Sequence, residues 1–431
     1  MPLRGIIFFL FSFFLSFYGR ASYNQDTVFI TIRQSEQRFI DSNLSLLIAK
    51  TNIDVQKGFE IQAKVFDNPN FSYTHNFYNI STKKFFSVSG LPDANGNYQG
   101  ELGAQLQQLV KIAGKRRNAI KLAHYNTQLS EYQYYDLLRA LKYQLRSDLT
   151  AIDLCLHNAE TFSQQIKVLE QLISATAYQV EKGNISEKEL VRLQNSLLSL
   201  KTDERTNYES LLDTENDLKT LLKYRKNEIL VPKLNEVTDI SDKLRNSGID
   251  SLQNIAETER YDLKAAKLGV DMSQVNLRLQ RSLGVPDPTF SFDYDRFGSA
   301  YRDYMGLGVS FDLPFFNHNQ GNIKAAKASI KSAQYSAEDA YINIHNDLQE
   351  SILKMLNITA IKQSFDPKYN TSFNKVSQGM LDLFKERKIS LLEFLDFFDS
   401  YGDARRNMNQ LQADYRQGVY ELNYTLGKDV F

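Results

Sequence analysis

The chain of 431 residues repeats an ordered set of short motifs, a self-similarity of roughly two hundred residues and far longer than the period of a solenoid array. Asn68-Pro69-Asn70-Phe71-Ser72-Tyr73 is echoed by Asp287-Pro288-Thr289-Phe290-Ser291-Phe292. Leu102-Gly103-Ala104 is echoed by Leu307-Gly308-Val309, and Lys182-Gly183-Asn184-Ile185-Ser186 by Arg387-Lys388-Ile389-Ser390. Three echoes in one order point to two copies of a large unit, each a helix, two strands and two very long helices. The units are predicted at 23–226 and 251–431. Residues 227–250, with weak periodicity, join them.

Each unit holds two segments of period two, the mark of a strand with one apolar face. Phe71, Tyr73, His75 and Phe77 alternate with Ser72, Thr74 and Asn76. Tyr98, Gly100, Leu102, Ala104 and Leu106 alternate with Gln99, Glu101, Gly103 and Gln105. In the second unit Phe290, Phe292 and Tyr294 alternate with Ser291, Asp293 and Asp295. Met305, Leu307, Val309, Phe311 and Leu313 then alternate with Gly306, Gly308, Ser310 and Asp312. A half-buried soluble sheet accounts for any one of these segments. Four of them behind an export signal fit a transmembrane barrel with a wet interior.

That signal is read from Arg4, the apolar run Ile6 to Tyr18 and the small residues of Gly19-Arg20-Ala21, giving a removable segment at 1–22. The run is too short to span a membrane as a mature helix, so any membrane entry must be by strands. Four strands cannot close a barrel, since about eight is the smallest closed membrane form, and open edges are not tolerated in lipid. Copies of the chain must pool their strands. Two copies leave a filled interior, whereas three, with about twelve strands, leave a lumen. A homotrimer is expected.

Between the strands run long heptad series. Leu190, Leu193, Leu197, Leu200, Glu204, Asn207, Leu211, Thr214, Leu218 and Leu221 step by three and four. Leu138, Leu141, Leu145, Leu149, Ile152 and Leu156 do the same in a helix predicted from about Lys115 to Lys182, roughly 100 Å long. The last helix repeats the pattern from Phe394 through Phe398, Tyr401, Arg405, Met408, Gln412 and Tyr415 to Leu426. A plain coiled-coil rod has the same periodicity but no strands. Pro69, Pro288 and Pro314 mark changes of direction, and Pro367 is expected to kink or break a helix over 321–380. Residues 79–97, with Gly90, Pro92 and Gly96, read as the longer strand connection, facing the exterior.

Charge excludes some partners. Lys+Arg and Asp+Glu balance at 51 each, which offers no field for nucleic acid. Cys155 is the one cysteine, and His75, His124, His157, His318 and His345 lack metal-site spacing, so no cofactor or metal is expected. Phosphate loops, nucleophile elbows and zinc motifs are absent from the sequence, which argues against an enzyme.

These motifs resemble the TolC family of outer-membrane efflux channels over nearly all of the chain beyond the signal. Asn68-Pro69 and Asp287-Pro288 stand where that family begins each strand pair. Leu313-Pro314-Phe315-Phe316 with Gly321-Asn322-Ile323 and Ala325-Ala326 is similar to its strand exit and helix start. Gln108 to Arg116 resembles the version in the branch serving heavy-metal cation pumps. The resemblance implies a mostly α fold with a small transmembrane β part: two tandem repeats forming a helical barrel, and four strands per chain in a trimeric twelve-stranded β-barrel. It implies the outer membrane of a Gram-negative bacterium, a large periplasmic portion, a membrane-fusion adaptor, and an inner-membrane pump driven by protons rather than ATP. The hairpin tips that dock the adaptor would be Gly183, Asn184, Ile185 and Ser186 with Arg387, Lys388, Ile389 and Ser390. Glu393 and Asp396 match the paired aspartates of the family's constricted entrance. A type I protein-secretion channel uses the same architecture, and an envelope coiled-coil scaffold is the poreless alternative.

Overall fold

Long stretches without Pro or Gly allow the helices to grow to unusual length, and turn residues end them. The computed structural model describes residues 27–80, 83–86, 100, 102–224, 228–235, 237–296, 303–364, 376, 379–384 and 386–431. The expected signal at 1–22, the start of the second strand pattern at Tyr98, most of the exterior connection and Pro367 lie outside them.

The chain opens with β1 (Thr27–Ile30), α1 (Ile32–Ser42) and α2 (Leu44–Ala63), then β2 (Asn70–His75), the short β3 (Tyr78–Asn79) and β4 (Lys84–Phe85), and β5 (Leu102–Leu109). Next come α3 (Lys115–Glu181) and α4 (Glu187–Leu222). β6 (Ile229–Pro232), α5 (Ser241–Asn246), α6 (Ile249–Glu259) and α7 (Tyr261–Leu283) lead to β7 (Thr289–Asp295) and β8 (Tyr304–Ser310). The remaining helices are α8 (Gln320–Ser364) and α9 (Leu391–Leu426). At 67 residues, α3 is about 100 Å long.

The helices form a layer. On the side of the four-stranded sheet the order is α2, α3, α7, α8; on the other side it is α4, α3, α9, α8. Heptad positions face inward: Leu193, Leu200 and Leu218 of α4 and Leu145, Leu149 and Ile152 of α3 are buried. In α9 the expected series is buried at Phe394, Phe398, Tyr415 and Leu426 and half-buried at Tyr401, Arg405 and Met408; Gln412 alone is exposed, its place taken by Ala413.

Three apolar cores result. One joins β1, α1, α2, α3, α4 and β6 around Phe39 and Leu149. A second joins α5 to α9 around Met355 and Leu422. The third, beside the hairpin tips, packs Phe162, Leu169 and Leu193 on Phe394 and Phe398.

Away from the tips, the α3–α9 seam carries a series of polar contacts. Arg139 donates to the Tyr424 carbonyl at 2.7 Å, and Gln417 bonds Tyr143 and Ser147 at 2.8 and 2.7 Å. Arg416 pairs with Asp153 at 2.8 Å, and Arg406 donates to Gln165 at 3.0 Å. Gly402 stands where Gln165 crosses, with no room for a side chain.

The segment 227–250, read from the sequence as irregular, contains structure. β6 pairs in parallel with β1, Thr27 opposite Ile229 through Ile30 opposite Pro232. Strands of four residues are too short for a visible period, which explains why neither was foreseen. The break between α1 and α2 was legible, because Asn43 Oδ1 accepts from Leu46 N at 3.1 Å as an ordinary helix cap.

A charged junction fixes the sheet to the helices. Lys115, buried at the start of α3, reaches Asp287 Oδ2 at 2.7 Å and the Val285 carbonyl at 2.5 Å. Asp287 also accepts from Ile112 N at 2.9 Å, and Lys111 pairs with Asp67 at 2.9 Å. Lys115 in the Gln108–Arg116 stretch and Asp287 in the second Asx-Pro motif thus hold one joint.

Asp148 sits buried between α3 and α4. Burial pushes its carboxyl up to about 6 from 3.8, a Gln144 hydrogen bond opposes this, and Asp217 adds to it. The folded chain therefore holds more protons than the unfolded chain between about pH 4 and 6, and stability falls as pH rises through that window. The shift is worth about 3 kcal/mol above it. Asp148→Asn is expected to raise the thermal unfolding temperature at pH 8 and to give no gain at pH 4, as read by unfolding scans of the detergent-solubilised protein.

Candidate functional site

The four longer strands form one antiparallel sheet in the order β2-β5-β7-β8. Register decides its faces. Phe71 lies opposite Leu106, Tyr73 opposite Ala104 and His75 opposite Leu102. Leu106 lies opposite Phe292 and Ala104 opposite Tyr294, and these pair with Leu307 and Met305. Directly opposed residues share a face, so one face is an apolar band of Phe71, Tyr73, Leu102, Leu106, Phe290, Phe292, Met305, Leu307 and Val309, with His75 at one margin and Gln108 at the other.

That band is uncovered. Leu307 is 88% exposed and Phe71 67% exposed. β5 extends to Leu109, further than the alternation ending at Leu106 predicts, and β8 stops at Ser310, leaving Phe311 and Leu313 past its ladder.

The other face is polar: Ser72, Thr74, Gln105, Gln107, Ser291, Asp293 and Asp295. Asp293 accepts from Gln105 Nε2 and, at 2.9 Å, from Ser291 Oγ. Gln107 donates to Gln105 at 2.8 Å. Gly308 lies close under Ser291, whose Oγ would have to turn aside for any side chain there. β2 and β8 are the sheet's edges, and neither has a second partner strand among the described residues.

At the far end of the helices two tight turns join α3 to α4 and the helical residues 379–384 to α9. Their backbone bonds match. Gly183 N donates to Val180 O and Asn184 N to Gln179 O, each at 2.9 Å. Arg387 N donates to Phe384 O at 3.0 Å and Lys388 N to Leu383 O at 2.9 Å. Gly183 has φ 74° and Arg387 φ 57°, so both occupy the left-handed region. Arg387 stands where the first unit has Gly183 and keeps the same turn geometry, at the cost of strain. Ser186 and Ser390 cap the following helices; Ile185 and Ile389 are half-buried.

The structure gives Glu393 a local task. Its Oε2 accepts from Ser390 N and Ser390 Oγ, both at 2.8 Å, while Ser390 Oγ accepts from Glu393 N at 3.2 Å. This is a capping box, readable in advance from Ser-x-x-Glu before an apolar run. The Ser390 backbone and hydroxyl hold the carboxyl of Glu393 below the usual range. Asp396, one turn on, is exposed on the same helix side. Deeper along α9, burial and the neighbours Asp403 and Asp396 push the Asp399 carboxyl up, with Arg406 opposing.

Replacing Arg387 by Gly is expected to leave the turn intact and stabilise the hairpin by about 1 kcal/mol, and Gly183→Arg to cost a similar amount. Hydrogen exchange of peptides spanning each tip measures both.

Comparison with known proteins places these features. Residues 252–365 match the family described as Outer membrane efflux protein. The cobalt-zinc-cadmium resistance protein CzcC of Cupriavidus metallidurans is 23% identical over 399 residues, covering 90% of this chain and 87% of that protein. The outer membrane protein VceC of Vibrio cholerae superposes with TM-score 0.73 at 16% identity, covering 92% of this chain and 96% of that one. CusC, described as forming a transmembrane channel, superposes with TM-score 0.69 at 16% identity and 96% coverage of both chains. Among the described residues no helix is long and apolar enough to cross a membrane. With its sheet, its long helices and these relatives taken together, the chain matches the outer membrane efflux protein family over residues 252–365 and as a whole has the fold of VceC and CusC.

Proposed function

We propose that the chain is the outer-membrane channel subunit of a tripartite efflux assembly: a homotrimer whose twelve strands close one barrel and whose helices form a periplasmic duct. The sheet carries this reading. A sheet with a continuous bare apolar face, a hydrogen-bonded polar face and two open edges fits lipid outside, water inside and a neighbouring copy at each edge. The helix layer supports the same closure. Its edge helices also carry exposed apolar side chains: Leu198 and Leu212 on α4, Ile48 and Phe59 on α2, Ile342 and Leu353 on α8. The element order, α2-β2-β5-α3-α4 followed by α7-β7-β8-α8-α9, supports a tandem duplication with 227–250 as connector.

The turns at Gly183–Ser186 and Arg387–Ser390 lie at the far end from the sheet and are read as the docking points for a periplasmic adaptor, which connects to an inner-membrane pump driven by protons. Metal cations are the proposed cargo, supported by the name of the curated relative from Cupriavidus. Glu393 and Asp396 are proposed at the constricted entrance, with different roles. Asp396 presents charge to the passage, and Glu393 holds the helix end that carries it.

Protein extracted in detergent is expected to run as three copies and to conduct ions in a planar bilayer; a poreless monomer or dimer contradicts the reading. Asp396→Asn is expected to raise leak conductance and weaken block by multivalent cations. Glu393→Gln, which keeps the capping box, is expected to conduct like the parent, and Glu393→Ala to leak. Leak in both Glu393 variants would assign that residue a charge role instead, and parent-like conductance in both would remove it from the entrance.

A further inference from the structure

Cations gather where the helices leave the sheet, without acids among them. From residue 111 to 130 the chain carries Lys111, Lys115, Arg116, Arg117 and Lys121 and no acid. From 317 to 337 it carries Lys324, Lys327 and Lys331 and no acid. Both windows contain the opening turns of a helix, α3 and α8, and neither helix has an acidic residue in its first turn. In the first turn of α3, positive charge at Lys115, Arg116 and Arg117 opposes the helix dipole; Lys121, Lys324, Lys327 and Lys331 lie beyond the first turn, where helix capping does not call for them.

Three of these cations are engaged within the chain: Lys111 with Asp67, Lys115 with Asp287, and Arg116 with the Lys64 carbonyl. Arg117, Lys121, Lys324, Lys327 and Lys331 are exposed and have no ion pair among the described residues. The two helix starts are neighbours of one element, α7. Lys115 bonds the Val285 carbonyl just past its end, and Asn319 donates to the Gln280 carbonyl at 2.7 Å. The free cations therefore flank a single level of the molecule, directly below the sheet.

An aromatic rim borders that level. Phe316 is 95% exposed, and Phe66 and Phe315 are also bare. The Arg116 guanidinium lies 3.8 Å from the Phe66 ring centroid, so rim and cations touch. Exposed aromatics at the edge of an apolar band, followed by cations, match the boundary between acyl chains and headgroups. Lys324 to Lys331 spans about 10 Å of helix, similar to the screening length in physiological salt.

We propose that Arg117, Lys121, Lys324, Lys327 and Lys331 form a basic collar that binds anionic phospholipid headgroups of the periplasmic leaflet. The inference rests on the barrel reading above and adds a lipid to it. Three chains would place fifteen such charges around one ring, held at a fixed depth by the rim.

The test uses the full chain, purified in detergent and titrated with phosphatidylglycerol or phosphatidylcholine, with bound lipid counted by native mass spectrometry. Each surface cation multiplies affinity for an anionic surface by about five, so a preference for phosphatidylglycerol of about tenfold or more is expected. The variant with Arg117, Lys121, Lys324, Lys327 and Lys331 all changed to Gln should lose it while keeping its oligomeric state and conductance. Lys324→Arg, Lys327→Arg and Lys331→Arg together should retain it. Absence of the preference in the parent, or its persistence in the Gln variant, overturns the collar. So does a Gln variant whose lipid binding is unchanged but whose ion selectivity shifts, because the cations would then face the passage. Failure of the parent to oligomerise or conduct in any lipid defeats the channel reading, and the collar with it.

Discussion

The structure depends on the backbone groups along the outer edges of β2 and β8. In water such groups can bond solvent, but a sheet with one bare face made mostly of Phe, Tyr, Leu, Met and Val is not suited to water. In lipid an unpaired edge costs several kcal/mol per group. The apolar face and the open edges are therefore compatible only if another chain supplies strands. The proposed barrel builds on that requirement, and the need for a lumen then selects three copies over two.

The helices serve the same end by a different packing rule. Heptad positions bury leucines between α3 and α4, and a polar ladder of Arg139, Gln417, Arg416 and Arg406 links α3 to α9. Directional hydrogen bonds at that seam specify one register, where an all-leucine seam would allow sliding. The Lys115–Asp287 pair then couples this layer to the sheet. Because it is buried, losing either partner would strand the other's charge.

Much of this was legible in the sequence because the signals were long. The alternation around Phe290 and Leu307 named the apolar face, and the uninterrupted steps of three and four named the buried side of α4. Short or cooperative features were not. β1 and β6 have four residues each, below the length at which a period can be seen. The charged joint of Lys115 and Asp287 links residues far apart in the chain. Resemblance to a metal-pump branch drew attention to Gln108–Arg116, but the structure gives Lys115 a structural task there. Glu393 carries two sequence signals at once, the Ser390-x-x-Glu393 box and the spacing to Asp396, and the structure satisfies the first. Arg387 completes the picture, since its side chain gave no hint that its backbone would copy Gly183.

The central claim is that β2 of one chain pairs with β8 of the next. It is tested most directly by disulfide trapping between single cysteines on the polar face, after Cys155→Ser. One cysteine is placed at Asn70, Ser72 or Thr74 and a second at Gly306, Gly308 or Ser310. Oxidation in membranes should give at least one pair that yields a covalent ladder ending at three chains. A complete panel without cross-links, or a ladder that ends at two chains, would contradict the account.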